Sequence, residues 1–131
     1  FVRAIVALEN ALKLGEAQFH ACNPQLVNIA LPLMSSYECE RDYANAVRMN
    51  KYVINILTTS QVVPNNWPEL GDLYFNMSEN CMKGGDATPS QALKKKWKAE
   101  GKVHARKSFD IRRVTSGEEH VKTLQAAKLL K

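Results

Sequence analysis

Three cysteines and three histidines are the side chains in this sequence best suited to hold a metal or to serve as nucleophile and base: Cys22, Cys39, Cys81, His20, His104 and His120. The cysteines stand 17 and 42 residues apart, with no Cys-x-x-Cys pair. No Cys/His group has the two-to-four-residue spacing of a structural zinc module. The spacing therefore predicts no metal site in the chain and thiols kept in a reducing compartment. Cys81 lies near a lysine-rich stretch that would lower its pKa and make it reactive, but a buried, inert thiol is the simpler expectation. Glu118-Glu119-His120 sets two carboxylates beside an imidazole. Neighbours on a helix point in different directions, so these three do not form an acid–base pair. Asp110 with Arg113 or His104 offers surface ion pairs worth about 0.2–1 kcal/mol each. No nucleophile has an oriented base beside it, and Gly84-Gly85 reads as a turn rather than a phosphate loop. The residues themselves thus point to no catalytic group and no cofactor.

The remaining chemistry is electrostatic. Lys94-Lys95-Lys96-Trp97-Lys98 is the one basic cluster with an interleaved aromatic. Such a pattern suits an acidic protein or peptide, or nucleic acid with its phosphates on the lysines and a base stacked on Trp97, the protein partner being favoured over nucleic acid. The ordinary alternative is a solvated helix face with Trp97 turned into the core, since Leu93, Trp97 and Glu100 or Gly101 can share one side. The formal charge of +5 conceals this polarity: residues 1–80 carry 5 basic and 8 acidic side chains, residues 81–131 carry 13 and 5. Any electrostatic partner is expected at the C-terminal end.

The elements that must position these groups are helices. At 131 residues, 45% hydrophobic and 24% charged, the composition fits one small globular domain, residues 1–131. Apolar residues recur every three or four positions, which predicts an all-α fold of antiparallel helical hairpins. The first helix is expected from Val2 to Ala21, with Ile5, Leu8, Ala11, Leu12 and Phe19 on its apolar stripe and Gly15 as a bend. Asn23-Pro24 opens a second helix to Cys39 that Pro32 should kink, and Asp42 caps a third through Leu57. Asn66 and Glu69 form a capping box for a fourth helix, Trp67 to about Met82, ended by Gly84-Gly85-Asp86. Thr88 and Gln91 form a capping box, with Pro89 at the first helical position, for a long basic helix running to Thr115, and Ser116 with Glu119 caps a last one. No run is long and apolar enough for a membrane span, and Phe1 starts inside a helical pattern, as expected of a piece of a longer chain.

Hairpins with short turns invite a repeat search. Trp67-x-x-Leu70-Gly71-x-x-Tyr74 fits the first-helix signature of a tetratricopeptide repeat, and Ala105 with Phe109 fits its Ala-x-x-x-Phe partner. In a 34-residue repeat that alanine would fall at position 83, so the pair carries an insertion of about 22 residues. The expectation is a tetratricopeptide-like array with an inserted basic helix. Leu33, Tyr37 and Ala46 are a weaker echo of the same offsets.

Ser108-Phe109-Asp110-Ile111-Arg112-Arg113-Val114-Thr115-Ser116-Gly117-Glu118-Glu119-His120 is more specific. It resembles the end of the C-terminal helical domain of SET/MYND-type protein-lysine methyltransferases, where an aromatic-x-Ile stretch leads into Val-Thr-His-Gly-x-x-His and a short terminal helix. Phe109, Ile111, Val114, Thr115, Gly117 and His120 match, while Ser116 replaces the usual His and Val121 a frequent Pro. The resemblance covers most of the chain, about 13 residues of it with specificity. The insertion at 81–101 departs from it. The family's catalytic parts are missing: there is no Asn-His-Ser-Cys-like stretch, no cysteine-rich zinc module and no Cys-x-Cys-x-x-Cys segment. The resemblance therefore implies a helical domain that forms one wall of a substrate cleft and contacts proteins, including the SET domain of the same protein. S-adenosylmethionine and zinc would be bound elsewhere in that parent, in the cytoplasm or nucleus. A stand-alone helical-repeat adaptor for a peptide or acidic partner is the alternative.

Overall fold

The computed structural model describes residues 2–19, 23–59, 64 and 67–131, and these form six α-helices and one 3-10 turn without a strand. The helices are α1 (Val2–Gln18), α2 (Val27–Cys39), α3 (Tyr43–Thr59), α4 (Pro68–Ala87), α5 (Gln91–Ser116) and α6 (Val121–Leu129). The all-α expectation holds. Ala21 and Asn66, expected as a helix end and a helix cap, lie outside the described residues. The chain divides into two compact units, Phe1–Pro64 and Asn65–Lys131.

In the first unit α2 packs against both α1 and α3. Asn23 accepts a hydrogen bond from the Gln25 backbone N–H at 2.9 Å, and Pro24–Leu26 form the 3-10 turn that leads into α2. The helix continues through Pro32, which lies on the exposed side, so the N–H it lacks is not missed in the core. Leu26, Ala30, Leu33 and Tyr37 face Ala46, Met49, Val53 and Ile56 across a core in which each is at most 2% exposed. Asp42 starts α3 as expected, its carboxylate accepting from the Asn45 N–H at 3.3 Å.

In the second unit a three-residue connection folds α4 back on α5, and α6 packs on α5. Here the expected boundaries move. Gly84-Gly85 do not end α4; they lie buried inside it, and a Cβ on Gly84 would stand 3.1 Å from each of three ring carbons of Trp97. The glycines are therefore the seat of an indole ring. The helix ends at Ala87 because Pro89 drives Thr88 into the extended region, at φ −86° and ψ 137°. Ser90, not the expected Thr88, then caps α5, accepting from the Leu93 N–H at 3.3 Å, so Pro89 lies in the connection rather than at the first helical position. Residues 81–101, expected as an insertion, form the last turns of α4, the connection and the first turns of α5; Lys94, Lys95, Lys96 and Lys98 lie on α5, on one helix with Ala105.

Two serine bonds fix the register of this hairpin. Ser78 on α4 donates to the Gly101 carbonyl of α5 at 2.7 Å, and Ser108 on α5 donates to the Gly71 carbonyl of α4 at 2.8 Å. A short hydroxyl reaches the opposite backbone only where that helix presents no side chain, which is the role of the two glycines. All four residues are buried.

The last cap also moves. Ser116 is the final residue of α5 rather than the start of α6, and Gly117 breaks away at φ 95° and ψ 158°, a region only glycine enters freely. His120 caps α6 with Nδ1 accepting from the Lys122 N–H at 3.2 Å, so Glu118 and Glu119 precede the helix instead of filling its first turn.

Candidate functional site

The residues singled out by the repeat signature and the family resemblance meet on the α4–α5–α6 unit. Leu70 and Ala105 are 2% and 0% exposed, and Trp67 is the half-buried N-cap residue of α4. Tyr74 stacks on the His104 ring at a centroid distance of 6.5 Å with the Lys107 ammonium 5.4 Å from its own centroid, and burial raises its pKa. Phe109 is half-buried and lies under the Arg106 guanidinium at 5.7 Å, at the edge of the core rather than within it.

Arg112, which pattern reading passed over, ties the three helices together. Its side chain is 5% exposed, and Nη2 meets the Asp72 carboxylate of α4 at 2.9 Å. Nη1 donates to the Lys122 carbonyl of α6 at 2.8 Å, and the guanidinium lies 4.3 Å from the Phe75 ring centroid. The planar fork allows one side chain to serve all three at once. Thr123 Oγ1 donates to the Gly117 carbonyl at 2.7 Å and closes the turn from the α6 side. Gly117 and His120 are thus parts of a built turn.

The lysine cluster is split by helical geometry. Lys95 and Lys96 are exposed, Lys94 and Lys98 half-buried, and Lys98 Nζ pairs with Asp86 at 2.6 Å. That hydrogen bond and charge hold the Asp86 carboxyl below its ordinary pKa. Trp97 is half-buried with one face of its indole over Gly84, which leaves a stacking base at most the other face. In the first unit, α1, α2 and α3 border a polar cleft of about 330 Å³ lined by Glu9, Lys13, Glu16, Tyr37 and Arg48 among others. Tyr37 donates to Glu9 Oε1 there at 2.7 Å, and burial, then the Glu9 hydrogen bond and charge, push its phenol up to about 12.

One constellation was invisible to motif spacing. Cys81 of α4 and Glu100 and His104 of α5 bring one donor atom each to within 4.8 Å of one another. The only sequence signal is Glu100-x-x-x-His104, which puts a carboxylate and an imidazole on one helix face. Its third member sits 19 residues earlier on another helix.

Among the described residues no helix is long and apolar enough to cross a membrane. No family model matches the chain, and no curated protein matches it at a significant level.

Proposed function

We propose that this chain is a helical protein-interaction domain of the kind that ends SET/MYND-type protein-lysine methyltransferases, forming one wall of the substrate cleft and contacting the SET domain and protein partners. The observation that carries this reading is the turn at residues 114–123. Of the matching residues, Gly117 takes the positive-φ conformation that glycine enters most freely and His120 caps α6, and Arg112 locks the terminal helix to the hairpin they follow. The packing of α4 on α5, with Gly71 facing Ile111 and Arg112, supports the tetratricopeptide-like part of the reading. The domain works in the cytoplasm or nucleus, and methyl transfer belongs to the parent.

The coding sequence upstream of Phe1 tests the proposal. A SET domain in that frame supports it, and further helical repeats there overturn it. In the SET-containing parent, removal of this domain should lower kcat/KM for a protein substrate while S-adenosylmethionine still binds. The isolated chain should methylate no lysine. Exposed Lys95 and Lys96 favour a second reading, an adaptor for acidic peptides. Titration with a labelled Glu-rich peptide at low salt tests it, and absence of binding removes it.

A further inference from the structure

We infer that Cys81, Glu100 and His104 form a binding site for a zinc-class divalent cation that clamps α4 to α5. The three donor atoms lie within 4.8 Å of one another, with Glu100 Oε1 and His104 Nε2 3.5 Å apart. A tetrahedral zinc with a Zn–S bond of about 2.3 Å and Zn–N and Zn–O bonds of about 2.0–2.1 Å has donor–donor edges of about 3.3–3.6 Å. The Glu–His edge already has that length, and the edges to the thiol, at most 4.8 Å, have up to about 1.2 Å to shorten to reach the long end of that range.

Three features of the hairpin build this convergence. Gly101 stands between Glu100 and His104 in sequence, and a Cβ there would come within 3.2 Å of the Cys81 Cβ, so its missing side chain lets Cys81 close on α5. Ser78 donating to the Gly101 carbonyl holds the two helices in that register. Tyr74 stacked on the His104 ring limits its rotation.

Sulfur, imidazole nitrogen and one carboxylate select a borderline cation over magnesium or calcium, which take oxygen. Binding forms Zn–S, Zn–N and Zn–O bonds and releases the thiol proton to solvent, with no change of oxidation state. The thiolate and carboxylate then balance the charge of the ion. Cys81 is fully buried and the His104 side chain 10% exposed, whereas the Glu100 side chain is 32% exposed. The ion therefore enters on the Glu100 side, where water completes the fourth position. This site is on the helical domain itself, distinct from the zinc that the family resemblance implies for the parent, and it stands whether or not the proposed function does.

The test uses the 131-residue chain with Zn²⁺ and Co²⁺ alone as probes. Calorimetry should show one zinc per chain, and thermal melts should move upward with zinc. Cobalt should give a thiolate-to-metal charge-transfer absorption. That absorption should persist in the double variant C22S/C39S, whose sole thiol is Cys81, and vanish in C81S. E100Q should weaken zinc binding by more than about 10-fold, since loss of a direct ligand exceeds the ~10–100-fold typical of outer-shell changes at its lower end. Absence of the cobalt absorption from folded C22S/C39S overturns the proposal even if C81S does not fold, and so does undiminished zinc affinity in C81S.

Discussion

Replacing Gly71 with leucine tests whether the α4–α5 hairpin is held by close backbone approach. A Cβ at position 71 would lie 3.2 Å from Ile111 Cγ2 and 3.3 Å from Arg112 Cγ, both near the α5 backbone and therefore slow to yield. A leucine adds three more carbons beyond that contact, and overpacking of this kind costs about 1–3 kcal/mol. Against it stands a gain of about 0.8 kcal/mol from removing a helical glycine. Displacing Arg112 also strains its bonds to Asp72 at 2.9 Å and to the Lys122 carbonyl at 2.8 Å, and bonds to charged groups contribute about 1.5–3 kcal/mol each. With one of these weakened, the net loss is about 2 kcal/mol, which for a chain of this length lowers Tm by about 6–12 °C. Gly71→Ala should be nearly neutral, since the propensity gain offsets a shift of a few tenths of an ångström. Far-ultraviolet circular dichroism melts of G71A, G71L, I111A and G71L/I111A provide the assay. The double variant should recover at least about 0.5 kcal/mol relative to additivity, because I111A removes the atom the leucine meets. A G71L melt within about 0.5 kcal/mol of the unsubstituted chain, or strict additivity in the cycle, would refute the close-approach argument.

Two further perturbations address other contacts. Trp97→Ala should destabilise by about 1–2 kcal/mol in urea titration, below the ~3–5 kcal/mol of a fully buried tryptophan because Trp97 is half-exposed; an unchanged midpoint would mean that the Gly84-Gly85 seat contributes nothing. Tyr37→Phe probes alkaline stability. The phenol pKa rises from 10.0 to about 12 in the fold, so the neutral form is favoured there, and its stabilising effect is complete below pH 10 and lost as pH climbs through about 12. Tyr37→Phe should flatten the stability decline across that window while lowering stability near neutrality by about 1 kcal/mol, and an unaltered alkaline limb in pH-dependent melts would contradict it.

The sequence alone determined that the chain is helical and where its apolar stripes run, because helix periodicity is a local property written into residues three and four apart. Asp42, the Asn23-Pro24 start and the termination near Thr115 were likewise readable, since each depends on neighbours within one turn. Local reading failed where a partner helix redefined a residue. Gly84-Gly85 looks like a turn in isolation and becomes a helix interior once Trp97 fills the space above it. Ser116 has the right type for a cap, yet the longer ladder of α5 claims it and His120 caps instead. Arg112 carries no motif, and its role appears only when Asp72 and the Lys122 carbonyl arrive from two other helices. Cys81, Glu100 and His104 show the same limit most clearly. Chain spacing between a thiol on α4 and two donors on α5 is arbitrary, and only the register set by Ser78, Gly101, Ser108 and Gly71 places three donor atoms within 4.8 Å.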